Sequence, residues 1–381
     1  MTHASRLFGP EATPADNVAG MAADTAVRRD RLRSQLAGLG VDAALITRLV
    51  NVRYLTGFTG SNAALLVYDG GTDVFCTDGR YRAQATAEVP DLEQVIERNC
   101  ARALAERLHA EQVSRVGYES HSVTVDGLDE LRVTAPNAAL GSLQQAVEVL
   151  RAVKDEDEIG LLRQACAIAD RALAELIDRS GIRTGRSEIE VGRDLDGLLL
   201  DHGAAERAFE TIVASGPNSA VPHHRPTARA IEPGDLVKLD FGARVGGYHS
   251  DLTRTFVLGE TEEWQREVYA VVQEAQRLGR AALQVGADVR EVDAAARDHV
   301  KASGYGEDFS HGLGHGVGLD VHEGPTVSYL GAGTLAERMT VTVEPGVYLE
   351  GRGGVRIEDT LVVRADGPEL LTQTSRDLIV L

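Results

Sequence analysis

The sequence predicts an α/β protein of two domains, and three observations support this class. With 381 residues, the chain is too long for one ordinary compact core. Strand-like and helix-like patterns alternate over its first 150 residues, and its second half contains a repeated helix–strand unit. A change of character near Lys154 sets the boundary. We therefore predict a mobile N-terminal segment rich in Ala, Pro, Gly and Asp (residues 1–26), a first domain (27–150) and a second domain (154–381).

The first domain reads as a small α/β unit. The segments DAALIT and NAALLVYD are short apolar strands, and Asp69-Gly70-Gly71 turns the second of them into TDVFCTD, which is typical of a hairpin. Helical patterns follow at RYRAQATAEV and CARALAERLHAEQ, and RVGYES is strand-like. The second domain opens differently, with a long amphipathic helix after Asp155. Its apolar face carries Ile159, Leu162, Cys166, Ala169, Leu173 and Leu176.

Two segments of the second domain resemble each other as helix starts. GRSEIEV (185–191) and GADVREV (286–292) share a Gly and a Glu-Val pair. Ser187 and Asp288 are candidate N-caps, each followed three residues later by a glutamate, the spacing of a capping box. We expect two equivalent helices, ending at His202-Gly203 and Ser303-Gly304.

The same repeat places acidic residues in corresponding positions. VKLDFG (237–242) aligns with VTVEPG (341–346), so that Asp240 matches Glu344, and the strands that follow match Asp251 with Glu358. A duplicated helix–strand unit folded about a pseudo-twofold axis would bring these four carboxylates together between its halves.

The first of the two repeated hairpins predicts how its acids lie. A two-residue loop at Gly246-Gly247 puts Asp240 opposite Thr253, and alternation places Asp251 on the same face. The acids become diagonal neighbours with backbones roughly 7–8 Å apart. Like charges this close indicate a cation between them.

The second hairpin is less regular. A four-residue GRGG loop would put Glu344 and Glu358 on opposite faces, whereas an odd-length loop or a bulge restores a common face. Because proline cannot donate to a ladder, we predict a bulge at Pro345.

These acids together with His315 form an oxygen-rich set with one imidazole. Such a set favours Mn²⁺, Co²⁺ or a related divalent ion over a structural zinc cage. Four carboxylates neutralise two dications, which could share a bridging hydroxide. Other motif classes fail on spacing: His322-Glu323 does not continue as HExxH, and GxGxxG, P-loop and GxSxG patterns are missing from the sequence.

Composition excludes several partners and indicates a compartment. A formal net charge of −19 repels nucleic acid and anionic membrane surfaces. We expect neither a membrane span nor a signal peptide. Cys76, Cys100 and Cys166 are odd in number and scattered, which fits a reducing cytoplasm.

The motifs LDFGARVGGYHSDLTRTF, HGLGHGVGLDVHEGP, VEPGVY and GVRIEDT resemble the pita-bread metallopeptidases, which include methionine aminopeptidase, prolidase and aminopeptidase P. The resemblance implies a dinuclear site bound by Asp240, Asp251, His315, Glu344 and Glu358. NVRYLTGFTGSNAALLV and TDGRYRAQA resemble the creatinase-like N-terminal domain of the Xaa-Pro peptidases. The resemblance implies a peptidase that hydrolyses the Xaa-Pro bond at the N-terminus of peptides or in dipeptides, and it implies a homodimer.

The resemblance also assigns roles within the site. SGPNSAVPHH matches a stretch that bears a substrate-contacting histidine, best placed at His223. His322 and His223 are suited to donate hydrogen bonds to the carbonyl oxygen during attack by the bridging hydroxide. Glu344 would also shuttle a proton to the leaving prolyl nitrogen. Arg356 would brace the carboxylates from the same strand face, with a surface arginine as the alternative, and His311 would line the pocket.

Three questions stay open at this level. The metal could be Mn²⁺, which we favour, or Co²⁺ or Zn²⁺. A dipeptidase and an aminopeptidase both fit the motifs. The alternatives in function are a catalytically silent pita-bread binding protein and a creatinase-like amidinohydrolase, and the intact ligand set disfavours both.

Overall fold

The computed structural model describes the backbone of residues 14–381 and the side chains of residues 25–381. The chain divides into two compact units, one ending at Arg151 and the other spanning Ala152–Leu381. Residues 1–13 of the predicted mobile segment 1–26 lie outside the described residues, and the backbone from Pro14 onward is helical. Within the described part, no helix is both long and apolar enough to cross a membrane.

The first unit is a six-stranded mixed sheet with helices. In chain order its elements are α1 (Pro14–Leu39), β1 (Ala43–Ile46), α2 (Leu49–Thr56), β2 (Ala63–Tyr68), β3 (Val74–Thr77), α3 (Arg82–Glu88), β4 (Glu93–Ile96), α4 (Cys100–Ala110), β5 (Arg115–Tyr118), α5 (Val125–Thr134), β6 (Ala139–Ser142) and α6 (Ala146–Ala152). The strand order is β4-β3-β2-β1-β5-β6. β2 and β3 form the predicted antiparallel hairpin, and β1–β5, β5–β6 and β3–β4 are parallel.

The described part of the second unit contains two pairs of helices and four sheets, two of three strands, one of five and one of two. Its elements are α7 (Glu156–Asp178), α8 (Glu188–Asp201), β7 (Glu206–Arg207), β8 (Ile212–Ser215), β9 (Leu236–Phe241), β10 (Ala243–Val245), β11 (Tyr248–His249), β12 (Leu252–Val257), α9 (Glu263–Ala282), α10 (Val289–Ala302), β13 (Gly314–Gly316), β14 (Glu323–Val327), β15 (Thr340–Val343), β16 (Gly346–Leu349), β17 (Gly353–Arg356), β18 (Asp359–Val362) and β19 (Glu369–Leu370).

The internal repeat is visible in how the helices pack. α7 and α8 bury an apolar face against β9 and β12, in a core that includes Leu173, Val237 and Leu239. α9 and α10 do the same against β15 and β18, where Val341 and Val343 take the places of Val237 and Leu239. Each fully buried side chain of this kind contributes roughly 1.5–3 kcal/mol to folding. The predicted α/β class and duplicated unit are confirmed.

The helix starts of the repeat differ in their capping. Ser187 and Glu190 form the predicted reciprocal capping box at the start of α8. At α10, Asp288 instead accepts hydrogen bonds from the backbone N–H of Arg290 at 2.9 Å and from its guanidinium Nε at 3.1 Å. The predicted capping box with Glu291 is therefore wrong, because Arg290 binds the Asp288 carboxylate that the box required.

Candidate metal centre

One cavity of the second unit collects every side chain that the sequence predicted for the site. Its volume is about 610 Å³. Its walls include the predicted set of His223, Asp240, Asp251, His311, His315, His322, Glu344, Arg356 and Glu358. These residues come from loops and strands that are far apart in sequence, so only the folded unit brings them together.

The first hairpin places Asp240 as predicted. β9 and β12 pair antiparallel with Asp240 opposite Thr253, and the register continues unchanged through β10 and β11 to the Gly246-Gly247 turn. Between β11 and β12 the ladder is interrupted, and the interruption carries Asp251. Asp240 Oδ2 accepts a hydrogen bond from Arg356 Nη2 at 2.5 Å. Its other oxygen, Oδ1, is buried and has no hydrogen-bond partner.

The second hairpin places its two acids, Glu344 and Glu358, on one face by means of its loop length. β15 pairs with β18 and β16 with β17, both in one continuous register, which sets Glu344 opposite Glu358. The loop at its tip has three residues, 350–352, rather than the four of GRGG. The odd-length loop therefore restores the common face. The predicted bulge at Pro345 is wrong, because the register is the same on both sides of the proline.

Three of the side chains offer ligand atoms to one point. An oxygen of Asp251, a nitrogen of His315 and an oxygen of Glu358 all lie within 4.8 Å of one another. His315 Nε2 is 3.7 Å from Asp251 Oδ2 and 3.4 Å from Glu344 Oε1. His315 Nδ1 lies 3.0 Å from the carbonyl oxygen of Gly316, to which a protonated Nδ1 donates. That tautomer leaves the Nε2 lone pair directed at the acids.

The acids strongly disfavour ionising together. The pKa of Asp251 is raised by burial and by the charges of Glu358, Asp240 and Glu344. The pKa of Glu358 is raised in the same way by burial, Glu344 and Asp240. Burial and the Asp240 charge raise the pKa of Glu344 to about 7, against the lowering effect of Arg356. Such a cluster is stable as carboxylates only when positive charge is added.

The donor set fits divalent metal ions. The unpartnered Oδ1 of Asp240 is a buried acceptor without a proton donor, and a buried polar atom left in this state is costly unless an ion or another group satisfies it. Four carboxylates and one neutral imidazole form the hard, oxygen-rich environment that suits Mn²⁺ or related ions. Cysteine takes no part, since all three thiols are buried elsewhere and free.

The remaining histidines line the cavity beside this cluster. The rings of His322 and His315 pack edge to face, with their centroids 4.4 Å apart. Burial, His315 and His223 lower the pKa of His322. His311 Nε2 lies 2.8 Å from the Tyr348 hydroxyl. Burial and the charge of Arg356 lower the pKa of His311 to about 3, so its ring is neutral near pH 7.

Arg356 is a buried residue that joins several parts of the site. The residue is 2% exposed, which excludes the alternative of a surface arginine. Besides Asp240, its guanidinium donates from Nε to Thr253 Oγ1 at 3.1 Å and from Nη1 to the Tyr348 hydroxyl at 2.8 Å. Nη1 also donates to the carbonyl oxygen of Pro222 at 3.2 Å. The arginine therefore links a predicted ligand to the loop that carries His223.

Sequence reasoning missed three residues that support this site. Tyr348 bridges His311 and Arg356. Lys238 and Glu188 are both 0% exposed, and they contact the loop that carries His223 on both sides of this histidine. Burial raises the pKa of Glu188, but hydrogen bonds from Asn218, His224 and Thr227 outweigh it and lower the pKa to about 2. A lysine inside the fully buried strand LVKLDF, two residues before Asp240, was the available sign of this role.

Comparison with known proteins identifies the relatives of both units. Residues 160–365 match the model of metallopeptidase family M24, and residues 28–153 match the creatinase/prolidase N-terminal domain. An Xaa-Pro dipeptidase from Pyrococcus horikoshii is 37% identical over 347 residues, which cover 89% of this chain and 95% of that protein.

Solved structures agree with this assignment. An Xaa-Pro dipeptidase from Bacillus anthracis superposes with a TM-score of 0.90 at 37% identity, covering 94% of this chain and all of that one (100%). An X-Pro aminopeptidase from Thermotoga maritima gives a TM-score of 0.84 at 35% identity, with 93% and 100% covered. With a family model that matches more than half of its length, the chain belongs to metallopeptidase family M24, and it carries a creatinase/prolidase N-terminal domain.

Proposed function

We propose that the protein is a metal-dependent exopeptidase that hydrolyses the Xaa-Pro bond at the N-terminus of peptides or in dipeptides. The observation that carries the proposal is the convergence of four acids and His315 on one cavity, where Asp240 Oδ1 is buried without a partner. The names of the relatives, Xaa-Pro dipeptidase and X-Pro aminopeptidase, support the bond type.

The proposed metal ligands are Asp240, Asp251, His315, Glu344 and Glu358. Two divalent ions, Mn²⁺ first and Co²⁺ or Zn²⁺ as alternatives, would supply Lewis-acid polarisation of the scissile carbonyl and a bridging hydroxide as nucleophile. The chain's own contribution is to hold these ligands in a buried pocket, where Arg356 and Thr253 fix the orientation of Asp240 and Glu358 through hydrogen bonds.

The proposed catalytic residues are His223, His322 and Glu344. His322 and His223 each present a ring N–H, which can donate to the carbonyl oxygen as negative charge develops on it. Glu344 would take a proton from the attacking water and pass it to the prolyl nitrogen, which must be protonated before it can leave because an unprotonated amine is a poor leaving group. His311 stays neutral and hydrogen-bonded to Tyr348, and so acts as a wall of the pocket.

The experiment that tests the proposal compares metal-free and metal-loaded protein. After treatment with EDTA, the protein should not cleave Ala-Pro or a longer Ala-Pro-Xaa peptide, and Mn²⁺ should restore cleavage. No metal-dependent hydrolysis of either peptide would contradict the proposal, and full activity of Asp251→Ala would contradict the site. The ratio of the two rates decides between dipeptidase and aminopeptidase. Light scattering tests the homodimer that the family resemblance implies.

A further inference from the structure

The loop that carries His223 is held mainly by side chains. We call residues 216–227, between β8 and the approach to β9, the histidine loop. Within it, Val221 N donates to Asn218 O at 3.0 Å, a local turn that does not tie the loop to the sheet. A group that must meet a transition state needs a fixed position, because a misplacement of about 1 Å can cost roughly 100-fold in rate.

Lys238 binds the inner side of the histidine loop. It lies on β9 two residues before Asp240, and therefore on the same face of the strand. Its Nζ donates to three backbone carbonyl oxygens, those of Ser219 at 3.1 Å, Val221 at 2.8 Å and Pro222 at 3.3 Å. All three oxygens therefore lie within hydrogen-bond distance of the terminal amino group. The last two belong to the residues directly before His223.

Glu188 binds both ends of the same loop. Its Oε1 accepts hydrogen bonds from the backbone and the hydroxyl of Ser215, both at 2.8 Å, and from Asn218 Nδ2 at 2.9 Å. Its Oε2 lies 2.8 Å from His224 Nε2 and accepts from the backbone and the hydroxyl of Thr227 at 2.9 and 2.7 Å. One carboxylate thus closes the loop across its base.

The cost of burying these groups indicates a purpose beyond folding. An apolar residue at position 238 would match Val237 and Leu239, which are fully buried on the same strand. Isolated buried charges are expensive, and apolar replacements of similar volume are often neutral or stabilising. Here the amino group of Lys238 contacts Pro222 and the carboxylate of Glu188 contacts His224, and these are the two neighbours of His223.

We propose that Lys238 and Glu188 are positioning residues for His223, which hold the histidine loop between the buried amino group of Lys238 and the buried carboxylate of Glu188. This inference rests on the proposed function, since His223 acts there on the substrate carbonyl. Neither residue lines the cavity that collects the proposed ligands, so both are expected to act through the loop.

A double-mutant cycle tests the inference. In the metal-loaded enzyme, Lys238→Met and Glu188→Gln should each lower kcat on Ala-Pro about 10- to 100-fold. Metal content, measured by plasma mass spectrometry, should equal that of the wild type. In a His223→Ala background, either change should lower kcat further by less than about twofold, because the residue through which it acts is gone. Lys301→Met and Glu190→Gln, at exposed positions, serve as matched controls and should leave kcat unchanged.

Hydrogen exchange gives a readout that does not depend on activity. The amides of Ser215 and Thr227 and the rest of the histidine loop should exchange faster in both variants, with β15 and β18 unchanged. Additive losses of kcat with His223→Ala, or unchanged loop exchange, would overturn the inference. A wild type that cleaves neither peptide would contradict the proposed function instead, and exchange would still test the loop. If Lys238→Met does not fold, Glu188→Gln tests the same loop from its base.

Discussion

Two neighbouring histidines of the site differ in what they can reach. His315 Nε2 faces Glu344 and Asp251 at 3.4 and 3.7 Å, whereas His322 packs against the His315 ring and lies at the wall of the cavity. Loss of the first ring removes a donor from the acid cluster. Loss of the second removes an N–H from the space where a substrate carbonyl would bind.

We therefore expect opposite outcomes for the two alanine variants. His315→Ala should lose bound metal, because a missing ligand is not replaced within the buried cluster. His322→Ala should keep its metal and lose about 100-fold or more in kcat, the usual cost of removing one oxyanion donor. Plasma mass spectrometry and steady-state kinetics measure the two effects. Equal metal loss in both variants would refute this division of roles.

Other residues of the site show how much of its geometry could be predicted from the sequence. Asp240 opposite Thr253 follows from strand alternation and a two-residue turn, since both are local rules. Lys238 and Glu188 could not be placed in this way. Their partners are backbone groups of a loop, and no periodicity encodes which carbonyl a buried lysine will meet. Arg356 was placed on the correct face, but its bond to Pro222 O was beyond prediction for the same reason.

At the scale of elements, the strand that carries His315 is packed against its neighbour without space for a side chain. A Cβ atom on Gly314 in β13 would lie 2.0 Å from the carbonyl oxygen of Thr342 in β15. Real Cβ atoms do not approach a backbone oxygen so closely, so the two strands would have to separate. His315 is the next residue and would move with β13.

Gly314→Ala should therefore impair both the fold and the metal site. We expect a loss of stability of about 3 kcal/mol or more, in line with severe overpacking, together with reduced metal content. Gly197→Ala is the matched control. Gly197 lies in helix α8 with nothing within 4 Å of the added carbon, and alanine should raise stability by about 0.5–1 kcal/mol. Urea unfolding compares the two variants. An unaffected Gly314→Ala would show that β13 can shift without consequence.

The second hairpin shows why element geometry was only partly predictable. That Glu344 and Glu358 share a face was deduced, but the device was a three-residue loop rather than a bulge. The three glycines of GRGG fit several turn lengths, because glycine accepts many backbone conformations. Proline at position 345 interrupts the ladder without changing its register. Composition therefore indicated an irregularity, and only the strand pairing located it.

For the whole molecule, metal binding should stabilise one unit and leave the other unaffected. All the proposed ligands belong to the unit Ala152–Leu381, and the first unit has a core of its own. An ion in thousandfold excess over its Kd contributes about 4 kcal/mol to the unit that binds it. Without it, four converging carboxylates repel one another.

Chelation should consequently change hydrogen exchange in one unit only. After EDTA, amides of β9, β12, β15 and β18 should exchange faster, and those of β1 to β3 should not change; Mn²⁺ should reverse the effect.

Asp251→Asn should raise the Tm of the metal-free protein, because it removes one of the repelling charges, and should lower the gain in Tm on adding Mn²⁺. The exposed Asp201→Asn serves as the control. An equal change of hydrogen exchange in both units after EDTA would contradict the prediction for chelation, and an unchanged Tm of metal-free Asp251→Asn would contradict the prediction for this variant.

The bonds between the two halves of the repeat have a further consequence for how the protein matures. Thr253 of the first hairpin donates to Glu358 of the second at 2.6 Å, and Thr360 of the second donates to the backbone oxygen of Asp251 at 2.8 Å. The first half thus orients Glu358, an acid of the second half, and the second half binds the backbone of Asp251, an acid of the first half. A nascent chain that has emerged only as far as the first hairpin holds two mutually repelling carboxylates and no partner for them. Because the proposed ligands come from both halves, the site is complete only when both have folded, and metal occupancy would then mark a chain in which this has happened.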